Sequence, residues 1–268
     1  MNPSHSFRRA ISFCFCGILA FGLDIAIPTV HSLAQETTKS VVLSVEDDAW
    51  PWSLADGSGY VNDLVIAAYR AVGVEVELRV VPYARCKRMA INGEVAGCFS
   101  TSPSPDFNGL IELSEKPLFS LTSGYFYNVN KPPSVDRQED LPGQTIIGTV
   151  IGYEYPPNFE EVKLQRKLVL DESPSEDANL RKLAIGRIDL ALLNYNDMKS
   201  PEALIHRAGV IGQVKTGFVA GSMNSYLAFS TKHPEGAWAR EQFNKGFTII
   251  TENGTLNQIK KTWMQIIK

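Results

Sequence analysis

Several short stretches carry side chains suited to holding a small molecule. Trp50-Pro51-Trp52 sets two indoles around a proline that keeps the segment extended, which suits stacking on a flat face or receiving a cation. Tyr83 lies two residues before Arg85, whose guanidinium can grip a carboxylate or phosphate through two parallel bonds; a surface helix position accounts for Arg85 equally well. Ser100-Thr101-Ser102 offers three hydroxyls beside backbone N–H groups, or is simply a Ser-rich loop. Gly152-Tyr153-Glu154-Tyr155 joins a turn residue to two phenols and an acid. Glu46-Asp47-Asp48 would hold a cationic group, although such a cluster is more often a solvated turn. The motifs of covalent and metal catalysis are missing. There is no Gly-x-Ser-x-Gly or His-Glu-x-x-His, and Gly57-Ser58-Gly59 lacks the lysine of a phosphate loop. An enzyme built on this chain would need a general acid, with Glu46, Asp47 and Glu154 as candidates.

These residues must be positioned by alternating strands and helices. Residues 41–45 form a short apolar run that suits a buried strand, and 62–72 repeat apolar positions at helical spacing with Gly73 as the stop. Residues 74–81 alternate as a second strand, 84–92 resume a helix closed by Gly93, and 95–99 make a third strand. That rhythm indicates parallel strands joined by crossover helices. A similar unit returns later: Met89 to Gly97 resembles Leu183 to Leu190, each a helix end, a glycine stop and a buried strand. Residues 124–130 and 221–229 are aromatic, extended segments followed by proline-containing stretches, as at domain boundaries. Two such crossings imply a second lobe inserted into the first. The expected organisation is residues 40–126 and 225–268 for the first lobe and 127–224 for the second. Residues 237–268 read as helix, broken at Asn253-Gly254.

The N-terminus reads as an export signal. Arg8 and Arg9 precede an uncharged run from Ala10 to Leu23, too short for a membrane span, and Ser32-Leu33-Ala34 offers a small-residue cleavage site. Residues 1–34 are expected to be removed, leaving a soluble, exported protein. Cys14 and Cys16 would leave with the signal. Cys86 and Cys98 remain, and an oxidising compartment permits their disulfide. One stands at the start of a helix and the other near the end of the next strand, at the same sheet edge; two buried free thiols are the alternative. Their Cys-x11-Cys spacing is not a zinc pattern, and no metal or cofactor is expected. The net charge of −3 removes the electrostatic case for nucleic-acid binding.

In this order the chain resembles family 3 periplasmic solute-binding proteins, which serve amino-acid ABC importers. The resemblance rests on Trp50-Pro51-Trp52, Asp56-Gly57, Asp63-Leu64, Asn92 to Gly97, and Leu113-Ser114-Glu115-Lys116-Pro117-Leu118. It continues through Asp140-Leu141-Pro142-Gly143, Gly152-Tyr153, Gly186-Arg187-Ile188-Asp189, Phe243-Asn244, Asn253-Gly254-Thr255-Leu256, Ile259 and Trp263. Each piece is weak alone, but they are colinear over the whole chain after residue 34. The resemblance implies an α/β type II periplasmic binding protein fold of two lobes. Each would hold a mixed, mostly parallel sheet flanked by helices, with a two-segment hinge between them. It also implies a monomer that closes on a small-molecule ligand and delivers it to an ABC permease.

Such a cleft would be lined by Glu46, Trp50, Trp52, Tyr83, Arg85, Ser100, Thr101, Ser102, Gly152 and Tyr153. Glu46 falls where the resemblance implies an acidic ligand contact. Two departures separate the chain from amino-acid binders. Where the family's arginine grips an α-carboxylate, this chain has Phe107 within an uncharged-to-acidic stretch. Where an acid holds the α-ammonium, it has Asn194. Losing both charged anchors would forfeit roughly 1.5–3 kcal/mol for each charge-assisted bond. The expected ligand is a small polar solute other than a standard α-amino acid. Dehydratase-like enzymes of the same fold and ligand sensors that present to a membrane receptor remain the alternatives.

Overall fold

The computed structural model describes residues 39–267; the expected export signal, its cleavage site, Cys14 and Cys16 lie outside the described residues. The chain begins with β1 (Ser40–Glu46), a small hairpin of β2 (Asp48–Ala49) and β3 (Ser53–Leu54), α1 (Tyr60–Arg70) and β4 (Glu75–Val81). It continues through α2 (Tyr83–Asn92), β5 (Gly97–Thr101), β6 (Ile111–Leu113) and the long β7 (Phe119–Asn128). Next come β8 (Ile146–Val150), α3 (Pro157–Arg166), β9 (Val169–Ser173), α4 (Glu176–Ala184), β10 (Leu190–Tyr195) and α5 (Pro201–Arg207). The longest strand, β11 (Val214–Ser230), leads to α6 (Gly236–Glu252) and α7 (Thr255–Ile266).

The main strands run in the order β4-β1-β5-β11-β7-β10-β8-β9, with β6 beside β11. Each end of the array is parallel: β1 lies between β4 and β5, and β8 between β9 and β10. In the middle, β7 and β11 form an antiparallel ribbon that belongs to both lobes; β5 adds to one side of it and β10 to the other. Residue type follows position. β1, flanked by β4 and β5, is buried along most of its length, as a strand covered on both faces must be, and carries Val41, Val42, Leu43 and Val45. Edge strand β4 alternates Glu75, Glu77 and Arg79 with Val76, Leu78 and Val80, so its open side carries charge.

Period-two alternation also splits the second-lobe core. On β10, Leu190 and Leu192 join Tyr125, Ile147 and Phe159 on one face, while Ala191 and Leu193 join Phe126, Leu180 and Leu204 on the other. The first-lobe core gathers Leu43, Val45, Leu64, Tyr69, Phe99, Leu227 and Phe243. Its helices approach closely because α6 carries Gly246: a Cβ there would lie 1.8 Å from the Ala68 carbonyl oxygen of α1. The Trp263 indole donates to Asp63 Oδ2 at 2.7 Å, fastening α7 to α1. Two residues of the family-like pattern are therefore packing devices.

Two strand boundaries differ from the sequence reading, and both move site residues. β1 runs through Glu46, so that acid ends a strand instead of opening a loop. β5 runs from Gly97 to Thr101, two residues later at both ends than the expected 95–99, and its later end puts Ser100 and Thr101 within the strand. The left-handed Gly93 ends α2 with the Glu94 N–H returning to the Met89 carbonyl, and 94–96 are spent in turning before the sheet is reached. Cys86 and Cys98 are joined by a disulfide, their Cα atoms 5.7 Å apart.

Candidate functional site

The carboxyl ends of β1, β5, β8 and β10 meet across a cleft, the region where open α/β sheets hold ligands. From the first lobe come Glu46 at the end of β1, Trp52 between β2 and β3, Tyr83 at the start of α2, and Ser100 and Ser102 at the end of β5. From the second come Tyr153 and Glu154, on the loop between β8 and α3, and Asn194 near the end of β10. Phe119 and Leu121 of β7 complete a narrow pocket whose internal space, with the two lobes in contact, is only about 20 Å³. A larger groove of about 340 Å³ lies between residues 131–135 and 141–145, but its lining comes from one stretch of the second lobe with Asp189 and Leu190. The cleft pocket draws on both lobes and holds the buried polar groups.

Two neighbouring side chains reach over from the second lobe. The Tyr153 hydroxyl donates to Glu46 Oε1 at 2.7 Å, and its ring meets Tyr83 edge-on with centroids 5.2 Å apart. Beside it, Glu154 accepts from the Tyr83 hydroxyl at 2.7 Å and from the Ser102 N–H at 3.2 Å on one oxygen. Its other oxygen lies 2.6 Å from Lys87 Nζ. Gly152 makes this reach feasible. Its φ of 83° turns the loop, and a Cβ there would crowd Ala84 of α2 at 3.0 Å.

Burial drives the Glu46 carboxyl up to about 8, with Glu176 and Asp47 adding to the rise and Tyr153 and Lys199 opposing it. Glu46 is therefore protonated at neutral pH. Burial, aided by the facing carboxylates, likewise pushes the Tyr83 and Tyr153 phenols well above their ordinary range, so both stay as hydrogen-bond donors.

The floor is made by a second charged group. Lys199 is fully buried; its ammonium lies 2.6 Å from Glu176 and 3.9 Å from the centroid of the Trp52 ring. Glu176 also accepts the backbone N–H of Asn194 at 3.1 Å, and Asn194 Oδ1 accepts from Ser123 at 2.6 Å. Trp52 packs against Phe119 with centroids 4.5 Å apart. The Trp52 indole N–H and the Ser100 hydroxyl are buried without a hydrogen-bond partner among the described residues, although both residues line the pocket. Ser100 also holds φ at 67°, a left-handed conformation unusual for serine.

Of the residues read from the sequence, Glu46, Trp52, Tyr83, Ser100, Ser102, Tyr153 and Asn194 are brought together at this pocket. Gly152 supports it through backbone. Trp50 lies outside it, half-buried, with the Arg207 guanidinium 5.8 Å from its ring. Arg207 in turn pairs with Asp48 and Asp177, so the acidic cluster is dispersed: one acid is buried and neutral, another is in an ion pair. Thr101 is buried in β5 opposite Tyr226, and Arg85 is exposed because it lies on the other face of α2 from Tyr83. Lys87, Glu176, Lys199 and Phe119 were not singled out from the sequence. Lys87 had a signal, since it follows Tyr83 by one helical turn. Lys199 had none, because it arrives through a turn in which Asn196 Oδ1 accepts the N–H groups of Met198 and Lys199.

No protein-family model matches the chain, nor does any curated protein. Solved structures do. A histidine kinase sensor domain with similarity to periplasmic binding proteins is 20% identical, with a TM-score of 0.71 over 84% of this chain and 95% of that one. An ancestral arginine-binding protein bound to arginine is 17% identical, with a TM-score of 0.70 over 84% and 97%. The GluR0 ligand-binding core from Nostoc punctiforme in complex with L-glutamate is 18% identical, with a TM-score of 0.65 over 83% and 98%. The chain thus has the fold of the periplasmic binding proteins. Because β7 and β11 both cross between its lobes, the form is the two-lobed type II.

Proposed function

We propose that this is an exported solute-binding protein. It is read as a periplasmic monomer that takes up a small polar solute between its lobes and delivers it to an ABC permease. The single observation that carries this reading is the pocket itself, lined from both lobes, with a buried indole N–H and a strained, buried serine hydroxyl left for a ligand to satisfy. The crossing strands β7 and β11 would act as the hinge. A standard α-amino acid is disfavoured as the solute. Asn194 brings no charge, and Glu176, the acid nearest to it, is already neutralised by Lys199.

The likeness to a sensor domain favours a second reading, in which the closed form is presented to a membrane receptor. Both readings require binding without turnover. A thermal-shift screen of carboxylates, sugars, polyamines and the twenty amino acids, followed by calorimetry, tests them. The expected result is a saturable, unaltered ligand outside the amino acids. Turnover of a bound compound that disappears in Glu46→Gln would overturn the binding-protein reading.

A further inference from the structure

Glu154 is unusual among the charged groups of the cleft because its partners come from the opposite lobe. Tyr83 Oη, Lys87 Nζ and the Ser102 N–H converge on it, two donors on one oxygen and the ammonium on the other. Tyr83 and Lys87 are one turn apart on α2, and Ser102 follows β5, so the three donors belong to the first lobe alone. Such a set is complementary to a carboxylate: one ammonium for one oxygen, a phenol and a backbone N–H for the other. Its present occupant is attached to the second lobe through a loop that Gly152 seats directly on Ala84. The orphaned Trp52 indole and Ser100 hydroxyl lie in the same pocket, next to the bound carboxylate.

We propose that these three donors form a carboxylate site on the first lobe and that Glu154 is its tethered occupant. It closes the cleft and yields the site to a carboxylate-bearing solute. The proposal rests on the reading of the cleft as a solute site and narrows the solute to a small carboxylic acid. The remainder of that solute carries no ammonium group, since Lys199 already covers Glu176 and the Trp52 ring. A solute carboxylate accepts the Tyr83, Lys87 and Ser102 bonds, and its body gains the indole N–H and Ser100. The released Glu154 returns to water. No covalent bond changes.

The test is replacement of the tethered group by a free one. In Glu154→Ala the closed form should lose about tenfold or more in population, the effect expected for a lost charge-assisted contact. Small-angle scattering would report the opening, and faster amide exchange over residues 151–155 would locate it. Acetate, at matched ionic strength, should bind the vacated donors saturably, seen as shifts of the Ser102 amide and the Lys87 ammonium that the parent does not show, while acetamide should not. Lacking a tether, acetate should leave the cleft open. Adding Lys87→Gln should abolish the acetate effect. Glu154→Gln keeps the shape of the side chain and should open the cleft less than alanine, with an unchanged far-ultraviolet circular dichroism spectrum verifying that the chain is folded. The proposal is overturned if Glu154→Ala stays as closed as the parent, or if acetate and acetamide act alike. The solute screen fails independently: a sugar or polyamine bound by the parent protein would leave the function standing and the carboxylate site refuted if acetate binding to Glu154→Ala were also absent.

Discussion

Tyr153 and Glu154 are adjacent, lie on one loop and cross the same gap, yet they meet opposite chemistry. Tyr153 brings a donor to an acid, and Glu154 brings an acid to donors. On the Tyr153 side the first-lobe acid, Glu46, is wholly enclosed with no cation in direct contact among the described residues, so it keeps its proton. On the Glu154 side a lysine is present, and the contact is an ion pair with the ammonium partly open to water. The two halves of the closure should therefore respond to different variables, pH for one and competing anions for the other.

The largest expected effect lies beneath both halves. Lys199→Met would leave Glu176 enclosed without its cation, which costs about 3–5 kcal/mol when one partner of a buried pair is removed. Denaturant unfolding should show it, and Lys199→Met with Glu176→Gln should recover much of the loss. A full loss retained in the double variant would mean that the Trp52 contact, not the charge pair, is what matters.

Next in size is the response of the Glu46 side to pH. Folded Glu46 holds its proton up to about 8, whereas the ordinary value is 4.5. Between those limits the unfolded chain releases a proton that the folded chain keeps. Stability from this group is thus complete below about pH 4.5, falls as pH rises and levels off above about 8, with a slope of at most about 1.4 kcal/mol per pH unit. Thermal midpoints from pH 5 to 8 should decline in the parent protein and flatten in Glu46→Gln. An unchanged slope in that variant would place the titration elsewhere.

The smallest effect belongs to the outer rim. Lys260 and Asp197 also join the two lobes at 2.7 Å, but both are largely exposed. Lys260→Ala should change stability by less than about 1 kcal/mol and should do so only at low salt. A larger change would show that cleft closure depends on peripheral charge as well as on the two central contacts.

What could be read from the chain in advance followed the range of the interactions. The break between α6 and α7 was legible because Asn253-Gly254 is a local device, with Gly254 in the left-handed region. The crossing segments were legible because β7 and β11 announce themselves by aromatic, extended sequence. Trp52 and Tyr153 could be nominated by side-chain type. Lys199 and Glu176 could not, being 23 residues apart and joined only when the turn after β10 folds back under Trp52. The Arg85 guanidinium drew attention by its chemistry, yet helix periodicity gives the inward position to Lys87. The shift of β5 was missed because apolar Val95 and Ala96 are buried in a turn as completely as they would be in a strand.

The Cys86–Cys98 link has a mechanical meaning for the cleft. It stitches α2, which carries Tyr83 and Lys87, to β5, which carries Ser100 and leads to Ser102. The donors on one shore of the cleft are thereby cast as a single rigid jaw, ready before any partner arrives. Under the proposed function, opening and closing would then be the swing of the other jaw alone, with the two long strands as its pivot.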